Sequence, residues 1–491
     1  MLTQDHLGFL TSFDSISNGV FIPKYYNPEI VEALDKLNVT HQLIPFSYLV
    51  DHKEIEVLAG NEIGKMAYGT GEIPFIRTSD ISNWEIKTDP KQGISEEIYS
   101  KYCGRQDVKD GDIFFVRDGT YLVGQSCIVT AHDIPCLFQS HILRFRLKGK
   151  TILNKYLFLA LLNSPIVKSQ IRARQFTADI IDSVGNRYNE IIFAVPNNIK
   201  LQNEIASQTQ EIIENRASLR ELIRNIPYWA QGIINNPDDE LPVVLGETSE
   251  GQKNLGFLIS NQSLHESTYI PKYYDPEVGD ILQGLSKTHE LISLTDLVKQ
   301  KVISWNTGVE IGKMAYGTGR IPFIRTSDIS NWELKFDPKQ GISEEIYEKY
   351  CEKQDVDADD IFLVRDGTYL VGTSCILTEN DTKILYCGGI YKLRVNKKEK
   401  LDPYLLLALL HSPIVLRQMK SKQFTRDIID TLGKRLFEIV IPIPKDTKIA
   451  SLIADKTRDT IQTRVRLRNL INQVSFGVQG LALVTEDTDD I

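Results

Sequence analysis

The sequence predicts an α/β (α+β) protein built from two tandem copies of one domain, joined by two long antiparallel coiled-coil helices in pseudo-two-fold symmetry. The chain of 491 residues repeats itself at an offset of 310 − 62 = 248, and residues 62–99 and 310–347 are identical at 35 of 38 positions. Each copy contains short apolar runs separated by Gly and Asp, typical of strands, and closes with a helix-forming segment without Gly or Pro. A period this long indicates duplicated domains, because solenoid repeats span about 20–50 residues.

The order of elements follows from these patterns along each copy. In the first copy, strands are predicted at 73–77 and 112–117, and an apolar helix at 156–162 ends at Asn163-Ser164-Pro165. A polar segment rich in Pro, Gly and acidic residues separates the copies. The predicted boundaries are a first mixed domain at 1–198, a first spacer helix at 199–226, a linker at 227–264, a second mixed domain at 265–446, a second spacer helix at 447–475 and an acidic tail at 476–491.

The two closing helices carry apolar residues at spacings typical of a helix that packs against another helix. Ile205, Ile212 and Leu219 are seven residues apart, and in the second copy we expect Ile453, Leu467 and Leu470 to take a similar role. The spacing is equally consistent with a surface helix that packs on its own domain. The duplication favours an antiparallel pair of helices that offers a docking surface to partner subunits.

Composition and charge exclude several classes of protein. With 42% hydrophobic and 25% charged residues, the chain resembles an ordinary globular protein. The apolar runs at 156–162 and 404–410 are too short to cross a bilayer, and the N-terminal residues lack the basic region of a signal peptide. The six cysteines form no CxxC motif and no cluster with histidine. We therefore expect a cytoplasmic, reduced protein with no metal site and no membrane partner.

The motifs of common catalytic sites are missing or incomplete. The segment 60–66 resembles a phosphate-binding loop but is one residue short between its glycines, and Met66 replaces the Ser or Thr that would bind Mg²⁺. No GxGxxG or GxSxG motif is present, and neither is the Asn-Pro-Pro-Tyr motif of enzymes that methylate amino groups. Glu85 and Lys87 after Asp80 match only part of a nuclease site and are more simply solvated charges at a strand turn. We expect no catalytic residues in this chain.

Three polar segments in each copy lie next to apolar strands and carry side chains suited to nucleic-acid contacts. Arg reads guanine edges, Gln reads adenine, and Ser, Thr and Tyr suit phosphates or either base. The candidate DNA-binding residues are Arg77, Thr78, Ser79, Arg117, Thr120, Tyr121, Gln175, Thr177 and Arg187, with the repeat mates Arg325, Thr326, Ser327, Arg365, Thr368, Tyr369, Gln423, Thr425 and Arg435.

A structural interpretation of the same segments stays open. Asp80 and Asp118 can pair with Arg77 and Arg117 to fix turns, while Gly119 supplies a positive φ. The net charge of −9 also argues mildly against a protein that binds nucleic acid alone, because the phosphate backbone favours clustered Lys and Arg.

Taken together, the motifs resemble those of the specificity subunits of type I restriction–modification systems. The resemblance rests on Ile-Pro-Phe-Ile-Arg-Thr-Ser-Asp-Ile at 73–81, Val-Arg-Asp-Gly-Thr-Tyr-Leu-Val-Gly at 116–124 and Phe-Thr-x-Asp-Ile-Ile-Asp at 176–182, each repeated at +248. It implies two target-recognition domains and two spacer helices in a non-catalytic subunit that binds double-stranded DNA. It also implies two methyltransferase subunits as partners, which use S-adenosylmethionine, and leaves open a restriction–translocase subunit. The chain itself would hold no cofactor.

The near-identity of the two copies predicts that a split, nearly palindromic DNA site is read, because equal side chains on equal scaffolds should read equal base edges. The sharpest difference within the domains is Leu-Phe-Gln-Ser-His-Ile at 137–142 against Leu-Tyr-Cys-Gly-Gly-Ile at 385–390, which can make the half-sites differ. Two other functions stay open: the recognition subunit of another phage-defence complex, and a stand-alone DNA nuclease or methyltransferase.

Overall fold

The chain divides into two compact units. Unit 1 comprises Met1–Ala217 and Leu467–Ile491, and unit 2 comprises Ser218–Arg466. The computed structural model describes residues 16, 20–88, 90, 92–119, 122–149, 153–178, 181–233, 257–260, 262, 264, 268–338, 340–367, 370–426 and 429–480.

Unit 1 is a mixed helix–strand structure. Its helices are α1 (Pro28–Leu37), α2 (Phe46–Asp51), α3 (Glu96–Gln106), α4 (Lys155–Leu162), α5 (Pro165–Arg174) and the first part of α6 (Ile199–Ala230). Its strands are β1 (His41–Pro45), β2 (Ile55–Ala59), β3 (Ile73–Ile76), β4 (Ile81–Ser82), β5 (Glu85–Ile86), β6 (Gly93–Ile94), β7 (Ile113–Val116), β8 (Ser126–Ile128), β9 (Leu137–Phe138), β10 (Ile142–Leu147), β11 (Phe176–Ala178), β12 (Ile181–Ser183) and β13 (Ile192–Pro196).

Unit 2 repeats these elements 248 positions later, which confirms the predicted duplication. Its helices are α7 (Pro276–Leu285), α8 (Leu294–Lys299), α9 (Glu344–Gln354), α10 (Pro403–Leu410), α11 (Pro413–Lys422) and the first part of α12 (Thr447–Gly477). Its strands are β14 (His289–Ser293), β15 (Ile303–Thr307), β16 (Ile321–Ile324), β17 (Ile329–Ser330), β18 (Glu333–Leu334), β19 (Gly341–Ile342), β20 (Ile361–Val364), β21 (Ser374–Ile376), β22 (Leu385–Tyr386), β23 (Ile390–Val395), β24 (Phe424–Arg426), β25 (Ile429–Thr431) and β26 (Val440–Pro444).

The largest sheet of each unit is antiparallel and four-stranded, in the order β2-β10-β7-β8 in unit 1 and β15-β23-β20-β21 in unit 2. Strand β7 is apolar and buried at all its positions, as expected for a strand covered on both faces. Helix α4 packs against β8 and β13 and buries residues 157–162. The side chain of Asn154 caps α4, accepting a hydrogen bond from the Tyr156 N–H at 2.8 Å. The apolar helix predicted at 156–162 is therefore confirmed.

Smaller sheets position the polar segments. In unit 1, β3 pairs with β6 and runs parallel to β9, while β4–β5 and β11–β12 are two-stranded hairpins. Strand β3 ends where the first polar segment begins, β7 ends at the second, and the third enters β11. The strands predicted at 73–77 and 112–117 are thus present as β3 and β7.

Each unit contains parts of both long helices. Unit 1 holds the start of α6 and the end of α12, and unit 2 holds the end of α6 and the start of α12. This division is the one that an antiparallel pair produces. In unit 2, Ile223 and Ile226 of α6 belong to the same hydrophobic core as Ile453 and Ile461 of α12.

The first long helix extends beyond the predicted 199–226. Helix α6 continues through Pro227 to Ala230, because Ile226, Trp229 and Ala230 are buried in the core of unit 2. Burial of these side chains outweighs the poor helix propensity of proline. The rest of the predicted linker, and the predicted acidic tail from residue 481 onward, lie almost wholly outside the described residues.

A histidine contacts one carbonyl group at the C-terminal end of each long helix. In unit 1, His41 Nε2 lies 2.9 Å from the carbonyl oxygen of Val478, just after α12. In unit 2, the equivalent His289 Nε2 lies 3.1 Å from the carbonyl oxygen of Ala230, and burial lowers the pKa of His289. These contacts satisfy carbonyl groups that have no partner within the helix.

Candidate functional site

The first polar segment forms a tight turn at the end of β3. The N–H of Arg77 donates to Asp80 Oδ2 at 2.8 Å, and the Asp80 N–H donates to the Arg77 carbonyl at 2.9 Å. Burial raises the pKa of Asp80, which is 4% exposed. In unit 2 the Arg325 N–H donates to Asp328 Oδ2 at 2.9 Å. The aspartate therefore fixes the turn through the arginine backbone, and Thr78 in the turn remains half-buried.

The second segment is organised by Asp118. This carboxylate accepts hydrogen bonds from Arg117 Nε at 2.9 Å and from the Ser183 hydroxyl, and His141 Nδ1 lies 3.1 Å from its Oδ2. Burial alone would raise the pKa of Asp118. The hydrogen bonds from His141, Arg117 and Ser183 outweigh this effect and lower the pKa to about 2. Asp118 is therefore ionised at neutral pH. The Arg117–Asp118 pair of the structural interpretation is present, and Gly119 has the expected positive φ of 144°.

The third segment is a hairpin whose conformation is fixed by Asp182. Gln175 Nε2 donates to Asp182 Oδ2 at 2.8 Å, and in unit 2 Gln423 Nε2 donates to Asp430 Oδ2 at 2.9 Å. Thr425 is exposed and donates to Asp430 Oδ1 at 2.6 Å. The amide of each glutamine is thus engaged within its own unit.

The structure brings the three predicted segments together. The Gly119 N–H donates to the Asp182 carbonyl at 2.9 Å, and Asp118 and Ser183 form an antiparallel bridge. Thr78 Oγ1 lies 3.9 Å from the point that a Cβ on Gly119 would occupy. We call residues 77–80, 117–119, 175–178 and 181–183 the junction of unit 1, and residues 325–328, 365–367, 423–426 and 429–431 the junction of unit 2.

Arginine 187 lies beside the junction with its guanidinium group over an aromatic ring. Its Cζ is 4.1 Å from the centroid of Phe176, and its Nε donates to the carbonyl of Arg174 at 2.9 Å. The geometry recurs in unit 2, where Arg435 lies 4.1 Å from the centroid of Phe424. A cation over a ring face is attracted by the ring quadrupole. These arginines therefore hold the β11–β12 and β24–β25 hairpins in place.

An aromatic turn that was not predicted as part of the site packs against the same ring. The Tyr25 ring centroid lies 6.1 Å from that of Phe176, and Lys24 Nζ lies 5.8 Å from the Phe176 centroid. Arg174 Cζ lies 5.4 Å from the Tyr25 centroid. Lys24 is exposed. The signal was available in the sequence, because Ile-Pro-Lys-Tyr-Tyr at 22–26 recurs unchanged at 270–274.

The divergent loop 137–142 also reaches the junction. The Arg117 N–H donates to the His141 carbonyl at 2.9 Å, and Arg117 Nη2 donates to the Ser140 carbonyl at 3.3 Å. The hydrogen bond to Asp118 raises the pKa of His141. The Ser140 hydroxyl donates to Glu62. The loop that differs most between the copies therefore contacts the segments that were predicted to read DNA.

Some predicted site residues cannot be placed. Thr120, Tyr121, Thr368 and Tyr369 lie outside the described residues, and of Thr177 only the strand backbone is described. Arg77, Ser79, Arg325, Thr326, Ser327 and Arg365 are half-buried within the junctions.

Glu85, which in sequence resembled part of a nuclease site, has a structural partner. It is 4% exposed, and Arg216 Nη2 on α6 donates to its Oε1 at 3.0 Å. Among the described residues, no group of three or more His, Cys, Asp or Glu side chains could hold a metal ion. Within the same residues, no helix is long and apolar enough to cross a membrane.

The apolar residues that the sequence placed at regular spacing along the two long helices are largely buried. Ile205 is 2% exposed, Ile212 is 0% exposed and Leu219 is 9% exposed. In the second helix Ile453 and Leu467 are buried and Leu470 is half-buried. Because they are buried, these side chains stabilise the packing of the helices and are not available as a docking surface.

Comparison with known proteins gives matches to solved structures only. No family model and no curated protein matches the sequence. The S subunit of a type I restriction–modification system from M. genitalium aligns over 89% of this chain and 94% of its own, with 13% identity and a TM-score of 0.32. The HsdS subunit from Thermoanaerobacter tengcongensis aligns over 89% and 94%, with 13% identity and a TM-score of 0.26. A chain from a structure of type I system assembly and conformational transition aligns over 89% and 98%, with 12% identity and a TM-score of 0.26. At these values no residue role is carried over to this chain.

Proposed function

We propose that this chain is the DNA-specificity subunit of a type I-like restriction–modification complex. The observation that carries the proposal is the junction, where three separate polar segments, with side chains of the types that contact bases and phosphates, meet on a strand scaffold. The same junction is built twice, 248 residues apart. A duplicated, strand-anchored set of Arg, Thr, Ser and Asp side chains suits the reading of two half-sites on one DNA duplex.

Exposed cations near each junction provide contacts to the DNA phosphates, in addition to the base contacts of the junction. Lys24 and Arg172 are exposed in unit 1, and Lys272, Lys420 and Lys434 are exposed in unit 2. Cations on phosphates fix the position of a protein on the duplex, while base contacts give the sequence preference. The net charge of −9 keeps the affinity of the chain alone low.

Under this proposal the chain performs no chemistry. Two methyltransferase subunits that bind S-adenosylmethionine dock on the exposed faces of α6 and α12 and methylate adenine within the recognised site. A restriction–translocase subunit is an optional further partner. The site is split and nearly palindromic, because the two junctions present nearly the same side chains.

The test is methylation by a reconstituted complex. The purified chain, methyltransferase subunits and S-adenosylmethionine are incubated with genomic DNA, and the methylated positions are mapped. We expect a single split motif with the complex and no methylation or cleavage by the chain alone. Replacement of Thr78 and Ser79 by alanine should change or abolish one half-site, whereas Lys101→Ala on the exposed surface of α3 should leave the motif intact.

Two outcomes would remove the proposal. Methyl transfer or strand cleavage by the pure chain would make it an enzyme, which is the alternative left open by the sequence. A complex that binds DNA with a defined motif but recruits no methyltransferase would identify a recognition subunit of another defence complex.

A further inference from the structure

The loop beside each junction makes the same backbone contacts in both units, but it carries Ser140-His141 in unit 1 and Gly388-Gly389 in unit 2. The Arg117 N–H donates to the His141 carbonyl at 2.9 Å, and the Arg365 N–H donates to the Gly389 carbonyl at the same distance. The next N–H, of Asp118 or Asp366, donates to that same carbonyl at 3.3 Å in both units. The loop backbones therefore make the same contacts in both units, while the side chains at these two loop positions differ.

This difference changes which group is presented at the junction surface. In unit 1 the Asp118 side chain is 11% exposed, because Arg117, Ser183 and His141 surround it, while the His141 side chain is 36% exposed. In unit 2 the Asp366 side chain is 27% exposed.

Asp366 in unit 2 has no counterpart of the contact between His141 and Asp118. This carboxylate accepts from Arg365 Nε at 2.7 Å and from the Thr431 hydroxyl, the counterparts of Arg117 and Ser183. The position of the third partner, His141, is taken by Gly389, which has no side chain. Unit 1 thus shows an imidazole at the surface where unit 2 shows a carboxylate.

We infer, on the basis of the proposed function, that Ser140-His141 and Gly388-Gly389 make the two half-sites differ at one base pair. His141 of unit 1 donates to an acceptor edge, for which guanine N7 and O6 are the match. Asp366 of unit 2 accepts from an exocyclic amino group, for which cytosine N4 is the match. Base pairs that are contacted by side chains common to both junctions are the same in the two half-sites.

The charge state of the imidazole agrees with this assignment. With Nδ1 directed at Asp118, only the doubly protonated ring offers a second N–H at Nε2. The hydrogen bond and charge of Asp118, together with the charge of Glu62, raise the pKa of His141, while burial and Arg117 lower it. The geometry of the Asp118 contact carries the assignment, and the pKa direction supports it.

The two side-chain pairs can be exchanged without backbone rearrangement. Neither Gly388 nor Gly389 has a positive φ, so other residues can adopt their conformations. A Cβ on Gly388 would lie 2.8 Å from Glu310 Oε1, the flexible end of the side chain that corresponds to Glu62. A Cβ on Gly389 would lie 3.0 Å from Thr326 Cγ2, which requires a small shift of that side chain.

The test exchanges the pairs in both directions and maps the methylated motif of each reconstituted complex. Ser140→Gly with His141→Gly should convert the first half-site to the second, giving a perfect inverted repeat. Gly388→Ser with Gly389→His should convert the second half-site to the first, giving the other inverted repeat. At the altered position the preference between bases should change by about 10- to 100-fold, as for other single mismatched base pairs.

The outcomes separate this inference from the proposed function. If the wild-type complex methylates a split motif and both exchanged variants keep that motif, the inference is wrong and the proposed function stands. If the wild-type motif is already a perfect inverted repeat, the inference is wrong as well. If the wild-type complex methylates no defined motif, the proposed function fails and the inference with it. The conservative variant His141→Gln guards against a folding defect, because it keeps a side chain at the position and should change only the preferred base.

Discussion

The buried ion pair between Arg216 and Glu85 should be among the most sensitive points of unit 1. Arg216 Nη2 lies 3.0 Å from Glu85 Oε1, and the two side chains are 1% and 5% exposed. The pair joins α6 to the β4–β5 hairpin of the same unit. The change Arg216→Met keeps an unbranched apolar side chain at this position but leaves the Glu85 carboxylate buried without this cation.

The magnitude follows from burial. Removing one member of a buried ion pair costs about 3–5 kcal/mol, since the remaining charge loses its compensation. For a unit of this size, 1 kcal/mol shifts the melting temperature by about 2–4 °C, so the variant should melt roughly 6–20 °C lower. The double variant with Glu85→Gln should recover part of the loss, with a coupling free energy of about 1.5–3 kcal/mol.

Urea denaturation and calorimetry of the single and double variants measure these values. The matched pair Arg464–Glu333, also at 3.0 Å and with side chains 0% and 2% exposed, should respond alike in unit 2. The partly exposed ion pair between Arg458 on α12 and Asp402 is the control. Arg458→Met should lower the free energy of unfolding by at most about 1 kcal/mol. A loss below about 1 kcal/mol for Arg216→Met would show that the buried carboxylate does not depend on this arginine.

Three further predictions concern a buried histidine, a core position of α6 and two exposed lysines. Burial lowers the pKa of His411 to about 4, so this histidine is neutral in unit 2 at neutral pH. Its contribution to the free energy of unfolding is complete above pH 6.5, the pKa of an unperturbed histidine. That contribution is lost as the pH falls from 6.5 to about 4, at up to about 1.4 kcal/mol per pH unit. His411→Asn, which installs the residue found at Asn163 in the other copy, should remove this acid sensitivity in unfolding measured at pH 7.5 and 5; an unchanged slope would contradict it. Ile212→Asp buries a charge at a position 0% exposed and should lower the free energy of unfolding by at least about 1.5–3 kcal/mol, whereas Glu211→Ala on the exposed face should be nearly neutral in urea denaturation. Under the proposed function, Lys24→Ala with Lys272→Ala in the reconstituted complex should reduce the slope of log DNA affinity against log salt by about 2 and leave the motif unchanged, whereas a changed motif would place these lysines at bases instead of phosphates.

The duplication made much of the fold predictable. Because identical segments fold alike, the offset of 248 fixes unit 2 once unit 1 is known, and strand and helix patterns located β3, β7 and α4 within about one residue. The expectation that Gly119 takes a positive φ was also confirmed, since a tight turn after a buried strand requires it.

What the sequence did not predict depends on tertiary contacts. The continuation of α6 through Pro227 results from burial of Trp229, which local propensity does not include. The turn at 23–26 joins the site through ring contacts with Phe176, which lies about 150 residues away along the chain. From the sequence, Glu85 was expected to be a solvated charge. It is instead buried beside Arg216, and this partner could not be predicted because it lies 131 residues away along the chain.

The two junctions keep the same backbone contacts while the side chains of the neighbouring loops differ. In both units the glycine of the second segment has a φ of 144° and donates its N–H to the aspartate carbonyl of the hairpin, at 2.9 Å from Gly119 to Asp182 and 3.0 Å from Gly367 to Asp430. These contacts join backbone atoms and are therefore present in both units although the neighbouring loop side chains differ. Substitutions at such exposed positions usually change stability by less than about 0.5 kcal/mol, whereas a changed base contact alters binding by about 1–3 kcal/mol. Under the proposed function, duplicated junctions can therefore diverge in specificity without losing their fold, and we expect the difference between His141 and Gly389 to act in this way.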